Sequence, residues 1–297
     1  MFKISGYERF NEFRLIEKGW SSDKKYIGKA KTGENIFLKV SDILEYSTKK
    51  AEFEAIERIS QLGIPMMMPL QFGTLDSDGL VYMVFSWIDG TEAEIIMPEL
   101  TIADRKKLGY ESGVILKKIH SIKAPSVQQD WAERFNSKID RNIIKYRSCG
   151  IKVPMENRII NYINDTKDYL KGRPQTIQHG DYHVGNIFIT PDKKLSIIDF
   201  NRWDYGDPWE EFNRIVWTVH SSEIFASAQL DGYFGGAIPD EFFRLMALYI
   251  ASNALASIPW AMPFGESDVN AMLRNVDEML VYYENFNTYI PKWYIKY

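Results

Sequence analysis

The sequence of 297 residues contains a single cysteine, Cys149, so no disulfide can form within the chain. It also lacks an uninterrupted run of about 20 apolar residues, the length that a membrane-spanning helix requires. The most apolar stretch, residues 243–261, is interrupted by Arg244, Asn253 and Pro259. The first residues lack the basic region followed by an apolar run that a signal peptide needs. We therefore expect a protein of the reducing cytoplasm that makes no membrane contact.

Basic residues are not in excess either. The chain has 36 lysines and arginines against 40 aspartates and glutamates, a net charge of −4, and so lacks the positive field that attracts nucleic acid. We therefore expect no nucleic-acid partner. Hydrophobic residues make up 45% of the chain and charged residues 26%, as in ordinary folded proteins. The length suits two modest domains or one two-lobed protein.

Short apolar segments separated by turn residues fill the first ninety residues, a pattern typical of strands. One amphipathic helix interrupts them, with apolar residues at three-residue steps on one face. Beyond that point the apolar spacing becomes mainly helical, and in the last hundred residues the predicted breaks lie at 232–239 and 259–265. We predict an α+β protein with a strand-rich N-terminal lobe over residues 1–90 and a larger, mainly helical C-terminal lobe over residues 91–297.

One region concentrates residues suited to phosphoryl transfer. Asp181 is followed five residues later by Asn186, and Asp199 comes thirteen residues after that. Three oxygen-bearing side chains in one loop cluster suit a Mg²⁺ ion and a hydroxyl, because Mg²⁺ prefers oxygen ligands and a carboxylate can accept a hydroxyl proton. Lys39, which stands among apolar residues in a predicted strand, is the candidate for contact with nucleotide phosphates.

These residues resemble the motifs of the aminoglycoside phosphotransferase and choline kinase family, the small-molecule relatives of protein kinases. The shared pattern is a His-Gly-Asp loop, here residues 179–181, with Asn186 five positions after the aspartate and a later Ile-Asp-Phe at residues 198–200. The segment Gly206-Asp207-Pro208 is similar to the family's Gly-Asp-Pro segment. The resemblance implies a bilobal protein-kinase-like fold and a phosphotransferase activity.

The resemblance also implies roles for individual residues of the C-terminal motifs. Asp181 is expected to be the catalytic base, which accepts the proton of the acceptor hydroxyl. Asn186 and Asp199 are expected to be the Mg²⁺ ligands. His179 and His183 are expected to shape the loop by hydrogen bonding rather than to carry protons.

In the N-terminal lobe, similarity around residues 37–40 and 51–56 implies that Lys39 binds the nucleotide phosphates. Its partner is expected to be Glu52, with Glu54 as the reserve candidate. Backbone groups at the lobe junction and in the loop before the second strand are expected to hold the purine edge and the phosphates. These further nucleotide-binding residues are Ser86, Ile88, Gly19, Ser21 and Ser22. The loop has no G-x-G-x-x-G pattern, so by itself it is a weak signal.

A polycationic aminosugar needs an acidic and aromatic surface, and residues after the last metal ligand can provide one. The candidate acceptor-binding residues are Trp203, Asp204, Glu210, Glu211 and Trp260. Glu210 and Glu211 are explained equally well as acids at the start of a helix. Glu211 stands where many relatives carry aspartate, and Asp207 is expected to support the catalytic loop.

The combined expectation is a cytoplasmic kinase that uses Mg²⁺ and ATP or GTP to phosphorylate a hydroxyl of a small, cationic, aminoglycoside-like acceptor. Antibiotic resistance is one role consistent with that activity. Only residues 201–205 separate Phe200 from Gly206, which leaves little room for a phosphorylated activation loop and argues against a protein kinase. A metabolic kinase for choline, an amino alcohol or a sugar is the alternative. A third hypothesis is a regulatory pseudokinase, which binds nucleotide without transferring phosphate.

Overall fold

The computed structural model describes residues 4–17, 22–75 and 79–296. The chain folds into two compact units. The first unit comprises Met1–Thr91 and Ile187–Trp203, and the second comprises Glu92–Asn186 and Asp204–Tyr297.

The described residues form ten strands and nine α-helices. The strands are β1 (Phe10–Ile16), β2 (Lys24–Ala30), β3 (Asn35–Asp42), β4 (Pro69–Leu75), β5 (Leu80–Ser86), β6 (Thr91–Glu92), β7 (Thr176–Gln178), β8 (Ile187–Ile189), β9 (Leu195–Ile197) and β10 (Asp204–Gly206). The helices are α1 (Tyr46–Ser60), α2 (Ala93–Ile96), α3 (Ile102–Ile119), α4 (Trp131–Ser148), α5 (Glu156–Thr166), α6 (Ile215–Ser221), α7 (Glu223–Phe234), α8 (Asp240–Ala261) and α9 (Glu266–Tyr282).

The first unit is built on an antiparallel sheet with the strand order β1-β2-β3-β5-β4. Helix α1 packs on one face, where the ring of Phe53 lies 6.0 Å from that of Phe85. On β3, Leu38 and Val40 belong to the apolar cluster of the opposite face. Because successive side chains of a strand alternate between faces, Lys39 lies on the face covered by α1. The predicted strand-rich part with one main helix is confirmed.

Strands β8 and β9 pair as an antiparallel hairpin and belong to the first unit, whereas the sequence boundary at residue 90 places them in the second lobe. The reason is backbone hydrogen bonding. The Ile197 N–H donates to the Pro65 carbonyl at 3.0 Å, and the Met67 N–H donates to the Ile197 carbonyl at 2.9 Å. These bonds join β9 to the segment after α1, so Asp199, two residues beyond β9, is part of the first unit.

The second unit is mainly helical, as predicted. Helices α3 and α7 approach so closely that only glycine fits at their contact. A Cβ atom at Gly113 would collide with the carbonyl oxygen of Gln229, and one at Gly232 with that of Tyr110. Strand β7 pairs with β10 in antiparallel fashion and leads into the loop that begins at residue 179.

Helix α8 continues past the predicted break at Pro259 and ends at Ala261, where a 3₁₀ turn over Met262–Phe264 follows. Pro259 lacks the backbone N–H that would hydrogen-bond within the helix. The helix tolerates this loss because it ends two residues later and because the buried side chains of Leu255 and Ile258 pack in the core. Within the described residues, this helix with its turn is the one segment long and apolar enough to cross a membrane. Of its most apolar window, 61% is buried inside the protein.

Candidate active site

Lys39 is held between two carboxylates in the first unit. Its side chain is 4% exposed, and Nζ lies 2.8 Å from Glu52 Oε1 and 3.0 Å from Asp23 Oδ2. Glu52 comes from α1, whereas Asp23 lies one residue before β2. The reserve candidate Glu54 is exposed and pairs with Lys50 at 4.0 Å. Glu52, rather than Glu54, is therefore the partner of Lys39.

The electrostatic environment keeps Lys39 positively charged. Burial alone would lower the pKa of Lys39, because the ammonium loses its hydration. The carboxylates of Glu52, Asp199 and Asp23 outweigh that effect and raise the pKa of Lys39 above its ordinary value. Lys39 is therefore a cation throughout the physiological pH range, as contact with phosphates requires.

A second lysine lies beside Lys39 on the neighbouring strand. Lys25 is paired with Lys39 in the β2–β3 register, and its Nζ lies 3.3 Å from Asp199 Oδ2. Asp199 has a φ of 60°, a left-handed conformation that residues other than glycine rarely adopt and that often marks a functional site. The first unit thus brings two ammonium groups together with the predicted metal ligand. The sequence did not indicate Lys25, because the strand register was not known.

Glu211 holds the backbone of the predicted catalytic loop in the second unit. Its Oε2 accepts hydrogen bonds from the N–H groups of His179 at 2.7 Å and Gly180 at 3.1 Å, and Oε1 accepts one from Tyr182 N–H at 3.3 Å. Glu211 is 2% exposed. The expectation that Glu211 contacts the acceptor is corrected here, because both of its oxygens are buried and bonded to the loop.

Glu211 is ionised despite its burial. Burial favours the neutral acid, but His120, His179 and the N–H of Gly180 outweigh it and lower the pKa of Glu211. His120 Nε2 lies 3.6 Å from Glu211 Oε2, and its Nδ1 lies 2.9 Å from the hydroxyl of Tyr233. His120 therefore supports the carboxylate that supports the loop.

Asp181 remains accessible on this loop, with a side chain that is 22% exposed. Its Oδ1 lies 3.3 Å from Arg214 Nε and 3.7 Å from His183 Nε2. The amide of Asn186 donates to the Asp181 carbonyl at 2.9 Å. A base must be both oriented and reachable, and Asp181 meets both conditions. Arg214, which the sequence did not indicate, comes from the 3₁₀ turn before α6, 33 residues along the chain.

The predicted metal ligands fit Mg²⁺ in chemical type. The amide nitrogen of Asn186 is used by the Asp181 carbonyl, so the amide oxygen is the atom left for a cation. Asp199 offers a carboxylate that already faces a cation, the Lys25 ammonium. Among the described residues no group of three or more His, Cys, Asp or Glu side chains is arranged to hold a metal. Mg²⁺ does not need one, because it takes most of its ligands from phosphates and water.

The predicted nucleotide-binding backbone lies at the end of β5. The N–H of Ser86 donates to the Met68 carbonyl at 2.9 Å, and the Ser86 hydroxyl accepts from the Met68 N–H at 2.9 Å. Ile88 follows in a half-buried segment, and Ser22 is exposed. Two further predicted residues, Gly19 and Ser21, lie outside the described part of the chain.

The other acids predicted to contact an acceptor are engaged with α4. Asp204 forms an ion pair with Arg134. Glu210 lies 3.1 Å from Lys138 Nζ and accepts a hydrogen bond from Gln178 at 3.2 Å. These partners compete with any cationic acceptor for the two carboxylates.

The two tryptophans predicted to contact an acceptor belong to different units. Trp203 is a half-buried residue of the first unit, and its N–H donates to the Phe200 carbonyl at 3.0 Å. Trp260 lies near the end of α8 in the second unit, where it is 36% exposed and its ring is 4.9 Å from that of Phe264.

Asp207 is fully buried and supports the segment after β10. It makes a bidentate ion pair with Arg173, at 2.8 and 3.0 Å, and accepts a hydrogen bond from the Tyr249 hydroxyl at 2.6 Å. Its backbone carbonyl accepts a hydrogen bond from the side-chain amide of Gln178, the residue before the predicted catalytic loop. Asp207 therefore acts on the loop through its neighbours, whereas Glu211 binds the loop directly.

Comparison with known proteins places the chain in a family. The model of a phosphotransferase enzyme family matches residues 12–245. No curated protein matches the sequence.

Solved structures share the fold at low identity. A choline/ethanolamine kinase family protein from Mesorhizobium loti is 16% identical with a TM-score of 0.66, over 93% of this chain and 91% of that one. A thermostable mutant of aminoglycoside phosphotransferase APH(4)-Ia, in a ternary complex with ADP and hygromycin B, is 14% identical with a TM-score of 0.63, over 92% and 96%. Amicoumacin kinase hAmiN, in complex with AMP-PNP, Ca²⁺ and Ami, is 14% identical with a TM-score of 0.64, over 96% and 93%.

These likenesses confirm the protein-kinase-like fold that the motifs predicted. Because the family model spans most of the sequence, the chain belongs to the phosphotransferase enzyme family.

Proposed function

We propose that this protein is a magnesium-dependent kinase that transfers the terminal phosphoryl group of ATP or GTP to a hydroxyl of a small, aminoglycoside-like acceptor. The observation that carries the proposal is the buried Lys39–Glu52 ion pair at 2.8 Å, with Lys25 and Asp199 beside it in the same unit. Two adjacent ammonium groups suit a polyphosphate, because phosphoryl transfer depends on positioning and charge neutralisation. Membership of the phosphotransferase family supports the same reaction.

The nucleotide is proposed to bind through Lys39 and Lys25 at its phosphates. The carbonyl of Ser86 and the N–H of Ile88 are proposed to hold the purine edge. The loop with Gly19, Ser21 and Ser22 is proposed to contribute backbone N–H groups to the phosphates.

Asp181 is the proposed base. It accepts the proton of the acceptor hydroxyl, whose oxygen bonds to the terminal phosphorus while the bond from that phosphorus to the bridging oxygen breaks. The products are the phosphorylated acceptor and a nucleoside diphosphate. Arg214 and His183 orient the carboxylate of Asp181, at 3.3 and 3.7 Å from Oδ1. Asn186 and Asp199 are the proposed Mg²⁺ ligands, and the ion neutralises phosphate charge when it is bound.

The aminoglycoside class rests on the motifs and on similar proteins whose structures contain hygromycin B or spectinomycin. Trp203 and Trp260 remain proposed acceptor contacts. Asp204 and Glu210 can contribute only by exchanging their partners on α4. In the cytoplasm, such an activity would protect a cell from the antibiotic that it phosphorylates.

An amino alcohol or choline is the second candidate acceptor, and one observation favours it. The half-buried ring of Trp217 lies 6.3 Å from the ring of His183 and 6.0 Å from that of His220, in the same unit as Asp181. An aromatic surface of this kind attracts a quaternary or protonated amine.

The test is release of nucleoside diphosphate with Mg²⁺, ATP or GTP, and a panel of aminoglycosides, choline, amino alcohols and sugars. We expect release that depends on one acceptor class and that disappears in Asp181→Asn. Release with choline or an amino alcohol alone would replace the aminoglycoside proposal. Nucleotide binding without release across the panel would contradict the kinase proposal and favour the regulatory hypothesis.

A further inference from the structure

A second buried ion pair lies beside Lys39 and Glu52. Lys49 Nζ is 2.7 Å from Oδ1 and 2.8 Å from Oδ2 of Asp23, and the Ser41 hydroxyl donates to Oδ1 at 2.6 Å. Lys49 Nζ also lies 3.5 Å from Glu52 Oε2. The side chains of Asp23 and Lys49 are 0% and 9% exposed. Neither residue belongs to the motifs that identify the family in this sequence.

The two pairs cross between the helix and the sheet. Lys39 of β3 contacts Glu52 of α1, whereas Lys49 of α1 contacts Asp23 at the start of β2. Asp23 also contacts Lys39 at 3.0 Å, so all four groups form one network. In one pair the helix supplies the carboxylate and the sheet the ammonium, and in the other pair the helix supplies the ammonium and the residue before β2 the carboxylate. Asp23 also follows directly on the loop proposed to hold the phosphates.

The buried part of this network holds two ammonium groups, Lys39 and Lys49, and two carboxylates, Glu52 and Asp23. Lys49 Nζ also lies 3.6 Å from a third carboxylate, that of the more exposed Glu45. Because the four inner groups are buried, removing the charge of one of them changes the electrostatic environment of the others. Lys39 has three N–H donors, of which Glu52 and Asp23 occupy two. One donor is left for a phosphate oxygen. Without Lys49, the excess negative charge of Asp23 would attract Lys39 and repel the nucleotide.

We propose that Asp23 and Lys49 are positioning residues that set the direction and the net charge of Lys39 for nucleotide binding. Asp23 holds the Lys39 ammonium together with Glu52, and Lys49 neutralises Asp23. This inference rests on the proposed nucleotide-binding function and adds two residues to it. A merely structural role predicts that loss of either residue weakens the fold and nucleotide binding alike. A positioning role through charge predicts effects of opposite sign on nucleotide affinity.

The experiment uses calorimetry on the full chain to measure the dissociation constant for ATP in the presence of Mg²⁺. This measurement needs no acceptor. Lys49→Met removes one positive charge from the network, so we expect affinity to fall by about tenfold. Asp23→Asn removes one negative charge from the network, so we expect affinity to rise by about threefold. The double variant has the same net charge as the wild type, so its affinity should return towards the wild-type value. Lys50→Met is the matched control, because Lys50 is the next residue on α1 but is 51% exposed and should change nothing.

Lys39→Met separates this inference from the proposed function. If the wild type does not bind ATP, or Lys39→Met binds it equally well, the proposed function fails first. If Lys39→Met loses binding while Asp23→Asn and Lys49→Met both match Lys50→Met or both weaken affinity, the positioning inference is wrong.

Ser41→Ala covers the case in which a charge variant does not fold. It removes one hydrogen bond from Asp23 without a change of charge, and we expect affinity to fall about twofold, whereas an unchanged affinity would contradict the inference.

Discussion

In the first unit, charged side chains hold one another, whereas in the second unit one carboxylate holds the backbone of a loop. Lys39 is nearly inaccessible and is fixed by Glu52 and Asp23. Asp181 is more than a fifth exposed, and the loop that carries it is fixed by Glu211. The difference fits the roles proposed for the two groups. A cation that binds phosphates has to keep its charge and direction, while a base has to meet a substrate that comes and goes.

The two units should also differ in the kind of substitution that affects them most. A buried network of side-chain charges responds strongly to a change of charge, since burial reduces screening by water. A carboxylate bonded to backbone N–H groups responds to loss of its hydrogen bonds, since the amides are then left unsatisfied. Substitutions in the first unit should therefore act mainly on nucleotide affinity, and those at Glu211 mainly on stability.

The largest expected effect is at Asp181. Asp181→Asn removes the proposed base but keeps the size of the side chain, so we expect kcat to fall by about 100-fold or more. Nucleotide affinity should stay within about twofold of the wild type, because Lys39 and Lys25, the proposed phosphate-binding lysines, are unchanged. Steady-state kinetics with the acceptor that the panel identifies, together with ATP calorimetry, would measure both. Turnover within tenfold of the wild type would remove Asp181 from this role.

The second-largest effect is expected for Glu211→Gln, and it concerns stability. The amide keeps one acceptor oxygen but turns an NH₂ group towards backbone N–H donors, so we expect the free energy of unfolding to fall by about 2–4 kcal/mol. Urea unfolding would measure this change. Glu210→Gln is the matched neighbour, for which we expect about 1 kcal/mol, because its ion pair with Lys138 is near the surface. Equal losses in the two variants would contradict the assignment of Glu211 to the loop.

The pH dependence of Glu211 should be smaller but distinctive. Folding lowers the pKa of Glu211 from its ordinary value of 4.5, so near that pH the folded state binds fewer protons than the unfolded state. The stability that Glu211 contributes is complete above its ordinary pKa and is lost as the pH falls through the lowered value. The difference in unfolding free energy between wild type and Glu211→Gln should therefore narrow below about pH 4.5. A constant difference between neutral and acidic pH would show that the carboxylate charge is not involved.

Much of the fold was predictable because the patterns are local. The alternating strands, the helix with Glu52 and the loop with Asp181 all follow from residues close together in the sequence. Helix α4 was not predicted, although Trp131, Phe135 and Ile139 recur at four-residue steps and are buried. Asp130, which caps the helix through the Glu133 N–H, together with Trp131 and Phe135 four positions apart, was the available signal.

The site was less predictable where it depends on contacts between distant segments. Asp23, Lys49 and Arg214 look like ordinary charged residues in the sequence. Only the pairing of β2 with β3 and the packing of α1 bring Asp23 to Lys39 and Lys49. Glu211 was assigned to the acceptor because an acidic surface suits a polycationic aminosugar, and the alternative was an acid at the start of a helix. Its burial beneath the loop depends on the tertiary fold, which the sequence pattern does not show.

The central claim is that the first unit binds a magnesium nucleotide through Lys39 and Asp199. The most direct test compares ATP affinity with and without Mg²⁺ in the wild type and in Asp199→Ala. We expect Mg²⁺ to increase the affinity of the wild type by about tenfold or more, and Asp199→Ala to abolish that increase. An equal increase in both proteins, or none in the wild type, would contradict the claim.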